Sequence, residues 1–196
     1  MDALDDLLND LTAQPAEGAR QLLQRKREIA RRHGVAMPRN DRLLQRYRES
    51  VRDGRRPPDA RLERSLRLNA VRSASGIATV TVITEPYACP GRCVYCPTET
   101  RAPKSYLPNE PAVLRALRND YDPYRQVRSR LEALHQTGHP TDKIELIVKG
   151  GTWSFYPEAY QERFIARCFD AANAFGDRDT AGSLAAEAPS LEAAHA

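Results

Sequence analysis

Ala78-Thr79-Val80-Thr81-Val82-Ile83-Thr84 is a run of apolar and β-branched residues that reads as a buried β-strand. Shortly after it stand Cys89, Cys93 and Cys96, at C-x3-C-x2-C spacing. Three thiolates can hold three irons of a 4Fe-4S cluster and leave the fourth iron open to a small molecule, whereas structural clusters and structural zinc take four protein ligands. The missing fourth ligand is the informative feature. A zinc site needs one more donor from Cys168, His135, His139, His33 or His195, and none stands at a finger-like spacing. Cys168 lies in the apolar stretch Phe164-Ile165-Ala166-Arg167-Cys168-Phe169 and reads as a buried small hydrophobe. A disulfide framework is not expected, because four cysteines in 196 residues without a secretory signal make no stapled scaffold.

Working outward, Pro108-Asn109-Glu110-Pro111 opens a helix predicted to run to about Asn119, and Asp122-Pro123 opens another that closes at Gly138. A second strand follows over Ile144-Glu145-Leu146-Ile147-Val148 and runs into Gly150-Gly151-Thr152, before a helix from Pro157 to Phe175. Strand, helices, strand, helix implies an α/β fold with a parallel sheet and crossover helices, in which chemistry collects at the carboxyl ends of the strands. The cysteine loop and the glycine pair both fall there. The glycines serve either as a sharp turn or as a bare backbone that lets a cofactor approach closely.

The overall charge of +4 conceals an asymmetry. Residues 20–72 hold 17 Lys/Arg against 6 Asp/Glu, a local net of +11, so the rest of the chain carries −7. This basic region reads as helices from the spacing of Leu22, Leu23, Ile29, Leu43, Leu44 and Tyr47, with a short acidic helix over Ala3 to Leu11 ahead of it. Its cations form clusters: Arg25, Lys26 and Arg27 with Arg31 and Arg32, then Arg42, Arg46 and Arg48, then Arg55 and Arg56. They are the candidate nucleic-acid-binding residues, against the alternative of solvated arginine-rich helices. The predicted division is a basic helical region over 1–75, a cluster-binding α/β domain over 76–176 and an Ala-rich tail over 177–196. No apolar run approaches the ~20 residues that cross a bilayer, so a soluble cytoplasmic protein without a membrane partner is expected.

The cysteine spacing, with Tyr95 before the last cysteine, resembles the cluster loop of the radical S-adenosylmethionine superfamily. More specifically, Ser105-Tyr106, Glu110-Pro111, Arg115-Ala116-Leu117-Arg118, Tyr121-Asp122-Pro123-Tyr124, Gln126-Val127-Arg128, Gly138-His139-Pro140-Thr141-Asp142-Lys143 and Gly150-Gly151-Thr152 resemble the Elongator catalytic subunit and its bacterial and archaeal relatives. The resemblance covers about residues 76 to 170. It implies a partial TIM-type barrel, with a 4Fe-4S cluster on Cys89, Cys93 and Cys96. It also implies S-adenosylmethionine near Gly150, Gly151 and Thr152, and acetyl-CoA contacted by Lys143. The implied activity is modification of the tRNA wobble uridine at carbon 5: a 5′-deoxyadenosyl radical takes hydrogen from the acetyl group, and the carbon radical adds to uridine. An electron donor is required, and accessory subunits or self-association are the further partners implied. Without the resemblance, Lys143 reads as an exposed charge at a strand start.

The chain departs from the family pattern in having Pro97-Thr98 where relatives often have two glycines, and in a shorter spacing between its first two cysteines. Gly-Gly-Thr in place of the superfamily's Gly-Gly-Glu matches the Elongator relatives. Only two strands are legible where a full barrel takes about 250 residues, so an amino-terminal fragment, inactive by itself, is expected. No catalytic residue for uridine addition can be named from it. The competing expectations are a non-catalytic RNA-binding module with a structural metal, and another radical S-adenosylmethionine enzyme acting on a small molecule. The run from Tyr121 to Lys143 argues against the latter.

Overall fold

The structure, a computed structural model, describes residues 3–16, 18–97 and 99–176. The Ala-rich tail over 177–196, His195 and Thr98 lie outside the described residues. The helices are α1 (Ala3–Ala13), α2 (Ala19–Arg32), α3 (Asn40–Arg52), α4 (Ala60–Leu66), α5 (Pro111–Arg118), α6 (Pro123–Gln136) and α7 (Glu158–Gly176), and the strands are β1 (Ala78–Ile83) and β2 (Ile144–Lys149). None of these helices is long and apolar enough to cross a membrane. The chain divides into two units, the first reaching Gly76 and taking in Ala133–Thr141, the second holding residues 77–132 and 142 onward.

In the first unit an apolar face on each of four short helices buries against the others. Leu7, Leu8 and Leu11 of α1, Leu22 and Ile29 of α2, Leu43, Leu44 and Tyr47 of α3, and Leu62 and Leu66 of α4 make one cluster. Each buried leucine contributes roughly 1.5–3 kcal/mol relative to its exposed state. Leu23, counted with the periodic set in the sequence, is 40% exposed; the buried stripe of α2 is Leu22, Lys26, Ile29 and Ala30. Asp59 caps α4, its carboxylate accepting from the Arg61 and Leu62 amides at 2.8 and 3.1 Å. The 133–141 segment joins this unit through Arg48, which donates to the His135 carbonyl at 2.7 Å, and through Ser73 and the buried His139 ring, 2.7 Å apart. Gly138 has φ +90°, and a Cβ there would stand 2.9 Å from Leu44 Cδ2. Glycine is required on both counts.

In the second unit β1 and β2 pair in parallel, Ala78 opposite Ile144 and Ile83 opposite Lys149. The Ala78 and Thr84 amides donate to Lys143 and Lys149 carbonyls at 2.8 and 2.9 Å, so the even-numbered residues of β1 turn their backbone groups toward β2. The odd-numbered ones face away. At Ile83 those outward groups meet a side chain: Gln126 of α6 accepts from the Ile83 amide and donates to its carbonyl, both at 2.9 Å. β1 carries the deeper core, with Val80, Val82 and Ile83 fully buried, while every residue of β2 keeps some exposure.

The crossover helices depart in detail from their expected bounds. α5 starts at Pro111 rather than Pro108, because Glu110 folds back to accept the Leu107 amide with its side chain at 2.9 Å while donating its own amide to the Leu107 carbonyl at 3.1 Å. α6 starts at Pro123 with Asp122 accepting the Arg125 amide at 2.7 Å, an acidic cap followed by proline in the first turn. The single crossover through α5 and α6 leads from the carboxyl end of β1 to the amino end of β2, and in the parallel pair both carboxyl ends lie at the same edge.

Candidate metal centre

The carboxyl ends of β1 and β2 are fixed first by aromatic residues. Tyr156 accepts from the Thr84 hydroxyl at 2.8 Å and donates to the Glu85 carbonyl at 2.7 Å, while Tyr160 accepts from the Glu85 amide at 3.1 Å. Tyr87, Tyr156 and Tyr160 stack in sequence with 5.0 Å between successive ring centroids. Burial raises the pKa of the Tyr156 and Tyr160 phenols, so both stay protonated and keep these bonds. The chain that leaves β1 is thus held in one direction at Glu85, two residues before Tyr87 and four before Cys89.

Beyond that anchor, Cys89, Cys93 and Cys96 meet Gly150, Gly151 and Thr152 in one cavity of about 290 Å³, which Gly91, Arg92, Lys104 and Ser105 also line. Cys89 Sγ stands 3.2 Å from Thr152 Oγ1 and accepts the Gly91 amide at 3.4 Å. These two donors, the threonine first, hold the Cys89 thiol below the usual thiol range, with a smaller effect from the Lys104 charge. A Cβ on Gly91 would lie 3.5 Å from Cys89 Sγ and 3.7 Å from Cys93 Sγ, so the two sulfurs flank this glycine. Cys96 faces Ser105, Sγ to Oγ 4.0 Å. Val94 and Tyr95 project into solvent at the loop tip, 101% and 85% exposed.

Three thiols lining one cavity fit the donor set that an iron-sulfur cluster takes. Among the described residues no three Cys, His, Asp or Glu side chains converge as ligands of a single metal ion. Cluster cysteines each bind a separate iron and need no common point. Cys168 stands apart from this set: it is buried in α7, and burial pushes its thiol up to about 12, a protonated state that ligates poorly. His139 is held by Ser73 in the first unit. A larger cleft of about 380 Å³, lined by Glu85, Asp120, Tyr121, Asp122, Tyr160 and Arg163 among others, contains no thiol.

The glycine pair divides its work. Gly150 has φ +154°, and a Cβ there would stand 1.8 Å from Thr84 Oγ1, so its missing side chain is required by the packing of β1. Gly151 faces the cavity, where an added Cβ would lie at an ordinary 3.5 Å from the Tyr156 hydroxyl. Close approach of a ligand is therefore open at Gly151, not at the Cβ side of Gly150. Lys143 is not brought to this place. It is exposed before the first residue of β2, seven residues from Gly150, ~23 Å along an extended strand.

The ten candidate tRNA-binding residues of the first unit are largely committed to internal partners. Arg25 donates to the Gln14 carbonyl, Arg32 pairs with Asp10 at 3.3 Å, Arg46 with Asp5 at 2.5 Å and Arg48 with Glu63 at 2.6 Å. Arg55 pairs with Asp53 at 2.9 Å, and Arg56 donates to Asn9 at 2.8 Å. Lys26, expected among phosphate-facing cations, is instead 4% exposed and donates to Asn40 Oδ1 at 2.6 Å, because it falls on the core stripe of α2. Arg27, Arg31 and Arg42 are exposed and form no ion pair among the described residues. Arg27 and Arg31, four residues apart, share the outer face of α2.

Sequence reasoning missed Lys104 and Tyr156, and quoted Ser105 and Gln126 only as residues of the resemblance, without their places in the structure. Ser105 adopts φ +75°, rare for a residue with a side chain, and no local pattern announces it.

No family model matches the chain. It is 49% identical over 113 residues to the tRNA uridine(34) acetyltransferase of Dehalococcoides mccartyi, covering 58% of this chain and 24% of that protein. Against the tRNA uridine(34) acetyltransferase of Methanocaldococcus jannaschii the identity is 41% over 158 residues, covering 76% and 28%. Against Elongator complex protein 3 of Schizosaccharomyces pombe it is 44% over 130 residues, covering 59% and 24%. A solved Methanocaldococcus infernus Elp3 lacking its amino terminus aligns with 35% identity over 61% of this chain and 18% of that one, at a TM-score of 0.38. The chain spans about a quarter of the length of the curated relatives it matches. Bacterial, archaeal and fungal proteins that share 41–49% identity over 113 to 158 residues leave one conclusion, that the chain belongs to the Elongator catalytic subunit family.

Proposed function

We propose that this chain supplies the tRNA-binding helices and the cluster-binding start of a radical S-adenosylmethionine enzyme that modifies the wobble uridine of tRNA with acetyl-CoA. The observation that carries the reading is the meeting of three cysteines with Gly151 and Thr152 in one cavity, joined by the 3.2 Å contact between Cys89 and Thr152. Cys89, Cys93 and Cys96 are the residues that would hold a 4Fe-4S cluster, and the chemistry such a cluster would supply here, once reduced by an electron donor, is one-electron reductive cleavage of S-adenosylmethionine.

The chain's own residues prepare the place. Thr152 and the Gly91 amide favour the thiolate of Cys89, the form that ligates iron. Gly151 leaves room beside it for the methionine moiety. The parallel pair β1–β2 is the first part of a partial barrel in this reading, and residues that act on uridine belong to further parts of such an enzyme. Lys143 contacts acetyl-CoA at the opposite strand end, and exposed arginines of the first unit hold tRNA phosphates.

Anaerobic reconstitution tests the reading. The protein should take up about four irons, a count set by the cluster type. S-adenosylmethionine should perturb the reduced protein's electron paramagnetic resonance spectrum. Alanine at Cys89, Cys93 or Cys96 should abolish iron uptake, and Cys168→Ala should leave it intact. Stoichiometric zinc after anaerobic purification, with no iron taken up, sinks the proposal.

A further inference from the structure

The cysteine cavity has a charged wall that no motif marks. Lys104 packs against Gly151, its Cβ and amide nitrogen each 3.9 Å from where a Gly151 Cβ would be. Ser105 follows with φ +75° and turns its hydroxyl toward Cys96. Such a conformation at a residue with a side chain is costly, and it persists where the surroundings impose it. Lys104 and Arg92 are the cations of the cavity, and none of its described lining residues is a carboxylate. Neither cation forms an ion pair among the described residues. Arg92 is exposed on the loop, whereas Lys104 is half-buried beside Gly151. A half-buried, unpaired ammonium in a concave site favours an anionic ligand group.

We propose that Lys104 holds the carboxylate of an α-amino acid moiety in the cysteine cavity, with Ser105 shaping the turn that delivers it. The ligand is thereby selected by its amino acid end rather than its nucleoside. The inference rests on the reading of this cavity as the S-adenosylmethionine site.

Two probes separate the ends of the ligand: S-adenosylhomocysteine carries the amino acid moiety and 5′-methylthioadenosine lacks it. Equilibrium dialysis against the anaerobically reconstituted chain, with iron content measured alongside, gives the comparison. Lys104→Met should weaken S-adenosylhomocysteine roughly tenfold or more, the scale of a lost charged hydrogen bond. It should leave 5′-methylthioadenosine and iron content unchanged, and Lys104→Arg should retain most of the affinity. Unchanged affinity for both probes overturns the assignment. So does equal weakening of both, or a loss of iron in Lys104→Met, since the lysine then serves the thiolates or the shape of the cavity. If the wild-type chain holds iron but prefers neither probe, this inference falls while the cluster assignment stands. Failure of iron uptake in the wild type removes the reading beneath it, and this one with it.

Discussion

Alanine at Gly150 puts a methyl group 1.8 Å from Thr84 Oγ1, on a backbone already at φ +154°. Thr84 has nowhere to go, since it is buried and bonded to Tyr156. Gly150→Ala should therefore destabilise the protein by about 1–3 kcal/mol or more, the range for overpacking. Gly151→Ala meets only ordinary contacts and should melt near wild type, yet weaken S-adenosylmethionine by narrowing the cavity. Thermal denaturation beside ligand binding distinguishes the two, and a Gly150→Ala protein as stable as wild type refutes the packing argument. The sequence shows a glycine pair at a strand end and no more. Which glycine faces the neighbouring strand depends on the register of β2 against β1, a non-local fact.

At the scale of elements, Gln126 acts as a one-residue substitute for a strand. Its amide satisfies both outward groups of Ile83. Gln126→Leu keeps the bulk but strands a buried N–H and a buried C=O, at roughly 1–3 kcal/mol each. Chemical denaturation should show a loss of about 2–6 kcal/mol on the same basis, and a loss below experimental error means that the bonds are replaced by water. The strands and the crossover were legible because β-branched runs, Pro-started helices and glycine stops are local signals. Gln126 was not, because nothing local tells a glutamine on a helix that a strand edge 43 residues earlier will meet it. Lys26 was legible in principle. Its positions relative to Leu22, Ile29 and Ala30 put it on the apolar stripe, and counting charge without tracking the face concealed this.

For the whole molecule, the concentration of +11 in residues 20–72 overstates the free positive charge. Asp5, Asp10, Asp53 and Glu63 already neutralise several arginines. The exposed Arg27, Arg31 and Arg42 carry the sharper expectation for tRNA. Changing all three to alanine should weaken binding and flatten the log-log dependence on salt by roughly 0.7–0.9 per lost phosphate contact. Lys26→Ala should leave that slope unchanged and lower stability instead, through the lost bond to Asn40. A filter-binding series across salt concentrations decides it; an unaltered slope in the triple variant means that these arginines face only water.

The Gln126 amide also gives the sheet a direction of growth. Because the outward groups of Ile83 are occupied by a helix that precedes β2 in the chain, pairing of a further strand at that level is left, among the described residues, to the outer edge of β2. Gln126 lies between β1 and β2 in the chain, so during synthesis from the amino terminus its bonds to Ile83 can form before β2 exists to pair with β1. One side chain thereby covers, at the level of Ile83, an exposed strand edge of the kind at which a nascent chain mispairs.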